Sequence, residues 1–150
     1  MIAQEMVHVY PAVGEIFELT LNGDDFTNDP IEMVRRCGYD GFERWQFEGE
    51  CVVGTQSRPF MLVGIGDQLN FSEVRKALAE YGPFQEGQWR EAFMAAYPEP
   101  NGKGPMGVAD PSWRGPDGFL YFPYINTGGR PHFNRASTTF LDCWLWLVPA

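Results

Sequence analysis

Alternating and continuous hydrophobic segments along the chain predict several β-strands. Residues 15–21 alternate between apolar and polar side chains, with Phe17 and Leu19 on the apolar side, which is typical of a half-buried strand. Residues 60–65 are apolar at nearly every position, and this predicts a central strand that is covered on both faces. Shorter or less regular apolar segments predict further strands at residues 7–9, 42–47, 51–53, 119–125 and 137–148.

Helical periodicity and end signals predict three helices. The first spans residues 29–37, because Asp29 can cap its first turn and a proline follows at the first helical position. In residues 71–81, apolar side chains recur at intervals of three and four residues and therefore line one face of a helix. The third helix is predicted over residues 86–97, directly before a proline that would end it.

Residues 98–118 form a long loop in this interpretation, because ten of these 21 residues are Pro or Gly. Loops of this length inside a compact domain are usually functional or disordered. The order of the predicted elements indicates one α+β domain over residues 1–150, with a mostly antiparallel sheet of about six to seven strands. We expect the helices at 71–81 and 86–97 to pack on one face of this sheet and the short helix at 29–37 to lie elsewhere.

Composition supports a single folded domain and restricts its partners. The 150 residues are 44% hydrophobic and 21% charged, which suits one domain with a substantial core. The formal net charge of -9 would repel the phosphates of nucleic acids and anionic membrane surfaces. A cationic ligand or a basic partner protein is more compatible with this charge.

The remaining sequence features predict an intracellular protein without a cofactor. Cys37, Cys51 and Cys143 are odd in number and widely spaced, which is typical of neither a disulfide framework nor a zinc site. The first ten residues lack the pattern of a signal peptide, and no apolar run approaches the ~18 residues of a membrane span. We therefore expect a cytoplasmic protein. The acids at residues 24–29 lack the spacing of an EF-hand, so no metal is predicted.

The long loop and the segments after it hold the candidate binding residues. Aromatic side chains are mixed there with acids and with the only locally basic stretch, residues 129–135. Tyr and Trp beside carboxylates can stack on sugar rings, bases or cations. We therefore predict a pocket for a small flat, sugar-like or cationic ligand, lined by Asp110, Trp113, Tyr121, Tyr124, Arg130, His132, Asp142 and Trp144.

Three of these residues have alternative interpretations that the sequence leaves open. Trp113 can instead fill the core from a stiff, proline-rich segment. Asp142 lies in an otherwise apolar segment, where a carboxylate needs an ion-pair partner or a wet cavity. Arg130 can clamp an anionic group together with His132 and Arg135, or pair with acids on the surface.

Three functional hypotheses follow. The first is a non-enzymatic binding module for the small ligand described above. The second is an acidic interaction or immunity-type protein that engages a basic partner, or that associates with itself as a homodimer. The third is a small enzyme that uses His132 with a carboxylate, Asp110 or Asp142.

Overall fold

The computed structural model describes residues 9–100 and 102–150, which form one mixed sheet and three α-helices. The helices are α1 (Pro30–Arg36), α2 (Phe71–Leu78) and α3 (Trp89–Ala96). The strands are β1 (Phe17–Asn22), β2 (Gln46–Phe47), β3 (Thr55–Val63), β4 (Met106–Gly107), β5 (Trp113–Arg114), β6 (Leu120–Ile125), β7 (Pro131–Arg135) and β8 (Leu145–Pro149). Three 3-10 turns lie at Phe26–Asn28, Phe42–Arg44 and Ala79–Tyr81.

The sheet is mostly antiparallel, and the predicted α+β class is confirmed. Its strand order is β1-β3-β8-β4-β6-β5-β2, and β7 pairs with the other edge of β6. Every pairing is antiparallel except β4 with β8. Tyr124 of β6 lies opposite both Gly107 and His132, so β6 is paired along both edges.

Hydrophobic clusters cover both faces of the sheet, and each carries its own helix. Leu62 and Leu147 belong to the cluster that contains Trp89 and Phe93 of α3. The next residues in the strands, such as Val63 and Val148, belong to the cluster that contains Phe71 and Val74 of α2. Neighbouring strand residues point to opposite faces, so α2 and α3 lie on opposite faces rather than on one. A helical stripe shows which side of a helix is buried, but not which sheet face receives it.

Residues 106–114 divide the sheet, because their two ends pair with different strands. β4 pairs with β8, β5 pairs with β2, and both pair with the same edge of β6. The connection from α2 to α3 passes from one face to the other at this division. The Gly87 amide donates to the Asp110 carboxylate at 2.9 Å. Residues 106–114 of the predicted Pro/Gly-rich loop therefore belong to the sheet, and residues 106–110 are buried.

Two predicted strands before β3 are replaced by other local structure. Residues 42–44 form a 3-10 turn, because Gly41 has φ 71° and its carbonyl accepts from the Arg44 amide at 2.9 Å. Only Gln46–Phe47 of the predicted strand pairs as β2. Residues 51–53 form no strand, and the Val52 amide donates instead to Gln88 Oε1 at 2.8 Å.

The C-terminal segment differs most from its prediction. The strand expected over residues 137–148 occupies only Leu145–Pro149, and residues 131–135 form β7, which was expected to be a connection. The Trp144 amide donates to the Leu141 carbonyl in a turn. Asp142 and Cys143 are therefore exposed, and the apolar surroundings expected for Asp142 are wrong. Of the strand predicted at 7–9, Val9 forms an isolated bridge, and residues 7 and 8 lie outside the described residues.

The predicted helices are confirmed, with shorter bounds. Asp29 caps α1 by accepting from the amides of Ile31 and Glu32. The segment predicted as residues 71–81 is α2 followed by a 3-10 turn, and α3 begins at Trp89 rather than residue 86. Within residues 9–100 and 102–150, no helix has the length and apolar character needed to cross a membrane.

Polar side chains from α3 and from the segment after α1 bond to the backbone of β7. The Tyr39 hydroxyl accepts from the Phe133 amide at 2.9 Å. Arg90, which is 1% exposed, donates to the His132 carbonyl at 2.8 Å and forms an ion pair with Glu91 at 2.6 Å. These contacts satisfy charged and polar groups that would otherwise be buried alone, and Tyr39 occupies the backbone groups of Phe133 that another strand would pair with.

Candidate functional site

The sheet separates the predicted aromatic site residues into two groups. Tyr124, His132 and Trp144 form one group, in which the Tyr124 ring lies 5.9 Å from His132 and 5.1 Å from Trp144. Trp113 and Tyr121 form the other, as opposite residues in the β5–β6 pairing. Tyr121 and Tyr124 are three positions apart in β6, so they point to opposite faces. The structure therefore does not bring these five side chains into one pocket.

Trp113 is a core residue. Its side chain is 0% exposed, and its indole N–H donates to the Pro30 carbonyl at 2.9 Å. The ring packs against Phe47 and Phe133, with centroids 4.8 and 5.2 Å away. This agrees with the alternative interpretation of Trp113, because its polar group is satisfied and its ring is not open to a ligand.

Tyr121 belongs to a hydrogen-bonded group at the surface. Its hydroxyl lies 2.6 Å from the Asp117 carboxylate and accepts from Arg135 Nε at 3.2 Å. Arg135 also pairs with Asp117 at 2.7 Å and lies over the Phe119 ring at 4.4 Å. The hydrogen bond from Tyr121 contributes most to lowering the pKa of Asp117. Because these groups pair with one another, they offer a ligand few free polar atoms.

Asp110 is the most deeply buried of the predicted acids and has a structural role. It is 1% exposed, and its carboxylate accepts from the Gly87 amide and from the Ser112 hydroxyl. Burial raises the pKa of Asp110, while the hydrogen bonds from Ser112 and Gly87 oppose that shift. The carboxylate thus links the α2–α3 connection to the segment between β4 and β5 through the hydrogen bond from Gly87.

Arg130 and Asp142 are exposed, and neither has an ion-pair partner in the described part of the chain. His132 is half-buried beside Tyr124. Among the described residues, no side-chain hydrogen bond connects His132 with Asp110 or Asp142. The arrangement that an acid–base pair would require is therefore not seen in the structure.

A cavity of about 730 Å³ lies at the division of the sheet, and none of the eight predicted residues lines it. One side is α2 and the connection after it, and the other is formed by strand and loop residues. The lining residues are Phe71, Ser72, Arg75, Lys76, Leu78, Ala79, Gly82, Pro83, Phe84, Gln85, Ala109, Pro111, Leu120, Ala136, Leu147 and Val148. The walls are mostly apolar, and the volume falls within the range of small-molecule sites, about 300–1,000 Å³.

The charged groups that line this cavity are both basic. Lys76 pairs with Glu73 at 3.6 Å. Arg75 has no carboxylate within ion-pair distance among residues 9–100 and 102–150. The buried carboxylate of Asp110 lies behind the wall, between the lining residues Ala109 and Pro111. The Arg75 charge opposes the rise in the pKa of Asp110 that burial causes.

Sequence reasoning missed these lining residues because it explained α2 by core packing alone. Phe71 and Leu78 were expected to fill the core, and they do so while they also line the cavity. The sequence held one weak signal: Arg75 and Lys76 are adjacent bases in a chain with twenty acids and eleven basic residues, but Arg35 and Arg36 share this feature. No pattern in the sequence, however, indicates that the sheet divides beside them.

A second, smaller cavity of about 440 Å³ lies on the other side of residues 83–85. Its lining includes Glu50 and Glu86, so it is more polar than the first. Within the described ranges, no group of three or more His, Cys, Asp or Glu side chains is placed to hold a metal ion. The larger cavity, with its apolar walls and basic rim, is therefore the best-formed candidate site.

Comparison with known proteins adds no relationship to this picture: no protein-family model, no curated protein and no solved structure matches the chain.

Proposed function

We propose that this protein is a binding module for a small, largely apolar molecule, which occupies the cavity beside α2. The observation that carries the proposal is a cavity of about 730 Å³ with mostly apolar walls. Sites that bind small molecules are typically concave, apolar and of this size, with a few polar groups that orient the ligand. The side chains at the walls come from a helix, a strand and a connection that are held by the core.

The proposed site changes the ligand chemistry that the sequence analysis expected. The aromatic residues around Trp113 are used in packing, and Phe71, Leu78 and Val148 supply apolar walls instead. The basic groups at the rim disfavour a cationic ligand. The lining of the cavity therefore favours a compact hydrophobic ligand over a flat sugar or a cation.

The proposal is tested with N-phenyl-1-naphthylamine, a neutral apolar dye whose fluorescence rises in a dry site. Ala79 is exposed and lines the cavity, so Ala79→Trp should fill part of the cavity without disturbing the core. We expect the wild-type protein to bind the dye in titrations and Ala79→Trp to weaken that binding at least about tenfold, because the added ring occupies the same space.

Ala95→Trp is the matched control, because Ala95 is an exposed residue of α3 that does not line the cavity. It should bind the dye as the wild type does. Absence of dye binding in the wild type, or equal loss in both variants, would remove the support for a ligand site at this cavity.

A second candidate function is the recognition of a basic partner protein, which a particular surface patch favours. Phe26 is 71% exposed and lies between the exposed acids Asp24, Asp25 and Asp29. The Gly54 amide donates to Asp24, so the segment that carries Val53, 74% exposed, lies beside the turn that precedes Phe26. An exposed aromatic side chain within an acidic surround is typical of a contact with a basic partner.

Affinity capture with Phe26→Ser and Val13→Ser distinguishes this function from the first. Val13 is also exposed, at 58%, and lies outside the acidic patch. A true partner should be retained by the wild type and by Val13→Ser, lost with Phe26→Ser, and released by salt because screening weakens contacts between exposed charges. If no captured protein separates the two variants, the patch has no such role.

A further inference from the structure

The charged side chains that line the larger cavity are opposite in sign to the net charge of the molecule. The chain carries twenty acidic and eleven basic residues, with a formal net charge of -9. The residues that line the larger cavity nevertheless include Arg75 and Lys76 and no Asp or Glu. Lys76 is paired with Glu73, so Arg75 supplies the positive charge at the rim that has no ion-pair partner in the described part of the chain.

Arg75 lies on the same face of α2 as two of the apolar residues that line the cavity. Phe71, Arg75 and Leu78 are spaced i, i+4 and i+7, which places all three on one face of the helix. Phe71 and Leu78 are buried, while Arg75 is exposed. The same helical face therefore offers apolar contact at depth and a guanidinium group at the mouth.

Arg75 is also the better placed of the two cations to meet a ligand. Lys76 is paired with Glu73, whereas Arg75 forms no ion pair in the described part of the chain. The buried Asp110 carboxylate interacts with the Arg75 charge, but its oxygens are hydrogen-bonded to Gly87 and Ser112. A planar guanidinium suits two parallel hydrogen bonds to the oxygens of a carboxylate or sulfonate.

We propose that the cavity selects an anionic amphiphile, a molecule with an apolar body and one carboxylate or sulfonate group. The apolar body would lie against Phe71, Leu78 and Val148, and the anionic group would lie at the mouth beside Arg75. This inference rests on the proposed function, because it assigns the ligand class of the same site. It predicts a preference for anions against the net charge of the protein, which non-specific adsorption would not produce.

Two dyes that share one skeleton test the inference. 8-Anilino-1-naphthalenesulfonate carries a sulfonate, and N-phenyl-1-naphthylamine lacks it. At low salt the wild type should bind the sulfonate more tightly than the neutral dye, by about fivefold, the upper end for an exposed ion pair. Arg75→Gln should remove most of this preference and leave affinity for the neutral dye unchanged, whereas Arg75→Lys should retain part of it.

Arg130→Gln is the matched control, because Arg130 is an exposed arginine outside the cavity. Equal losses of sulfonate binding in Arg75→Gln and Arg130→Gln would show an effect of net charge alone and overturn the inference. Binding of the neutral dye that Ala79→Trp blocks, without a preference for the sulfonate, would also overturn it and leave the proposed function intact. Failure of both dyes to bind would instead count against the proposed function itself.

Discussion

Asp110 shows how one carboxylate can have a structural role in a place where a ligand contact was expected. Burial destabilises the charged form by removing its solvation, and the hydrogen bonds from Gly87 and Ser112 offset part of that loss. Because burial is the larger effect, the pKa is raised, and the folded protein holds this proton more tightly than the unfolded chain does. The charged form of Asp110 therefore lowers stability as the pH rises above its ordinary pKa.

Two substitutions of Asp110 should separate the effect of its charge on stability from the effect of its hydrogen bonds. Asp110→Asn keeps an acceptor for the Gly87 amide and has no charge, so wild-type stability relative to this variant should fall as the pH rises from about 4 toward neutrality. Asp110→Ala leaves the amide without a partner and should be less stable than Asp110→Asn by about 1–3 kcal/mol at all these pH values. Urea unfolding measured across this range checks both expectations.

The comparison of wild type with Asp110→Asn cancels the titration of acids that the two proteins share. A relative stability of the wild type that rose with pH would mean that the hydrogen bonds outweigh the cost of burial. The interpretation of Asp110 as a destabilised buried charge would then be wrong.

At the scale of elements, the connection between α2 and α3 determines where the cavity lies. It carries the chain from one face of the sheet to the other, and residues 82–85 form one wall of the cavity on the way. The crossing is tight at Gly87, where an added Cβ would lie 2.6 Å from Trp113 Cζ3 and 2.7 Å from Pro123 Cγ. Only a residue without a side chain fits between the Trp113 ring and β6.

Gly87→Ala should destabilise the protein by about 1–3 kcal/mol, because a methyl group at this position overpacks the core. Gly64→Ala is the control, since a Cβ at Gly64 has no atom within 4 Å and the backbone there does not favour glycine. That change should be neutral or should stabilise by up to about 1 kcal/mol. Equal effects of the two substitutions in urea unfolding would contradict the tight crossing.

At the scale of the whole molecule, two hydrophobic faces leave little of the aromatic content free for recognition. One face packs under α3, the other packs under α2, and a third cluster around Trp113 packs against α1. The excess of aromatic side chains that the sequence analysis attributed to a ligand pocket is used largely to fill these layers. The association with a basic partner remains a prediction, supported by the acidic surface and by Phe26. The homodimer also remains a prediction.

Local patterns were sufficient to predict much of the secondary structure. The alternation around Phe17 and Leu19, the Asp29 cap of α1 and the apolar stripe of α2 depend on neighbours within a few residues, and all three are found in the structure. The α+β class follows from the order of such elements. Length, composition and net charge likewise depend on no contact between distant residues.

Tertiary structure alone decided which faces the helices cover, where the sheet divides and which aromatic residues are buried. Trp113 and Pro30 are joined by a hydrogen bond across 83 positions, and Gly87 and Asp110 across 23. No pattern along the chain reports such pairings, because side chains that meet in space are set by the packing of whole layers. For the same reason the sequence alone predicted an acidic, aromatic binding protein, while the fold placed its candidate site at Arg75 and the apolar face of α2.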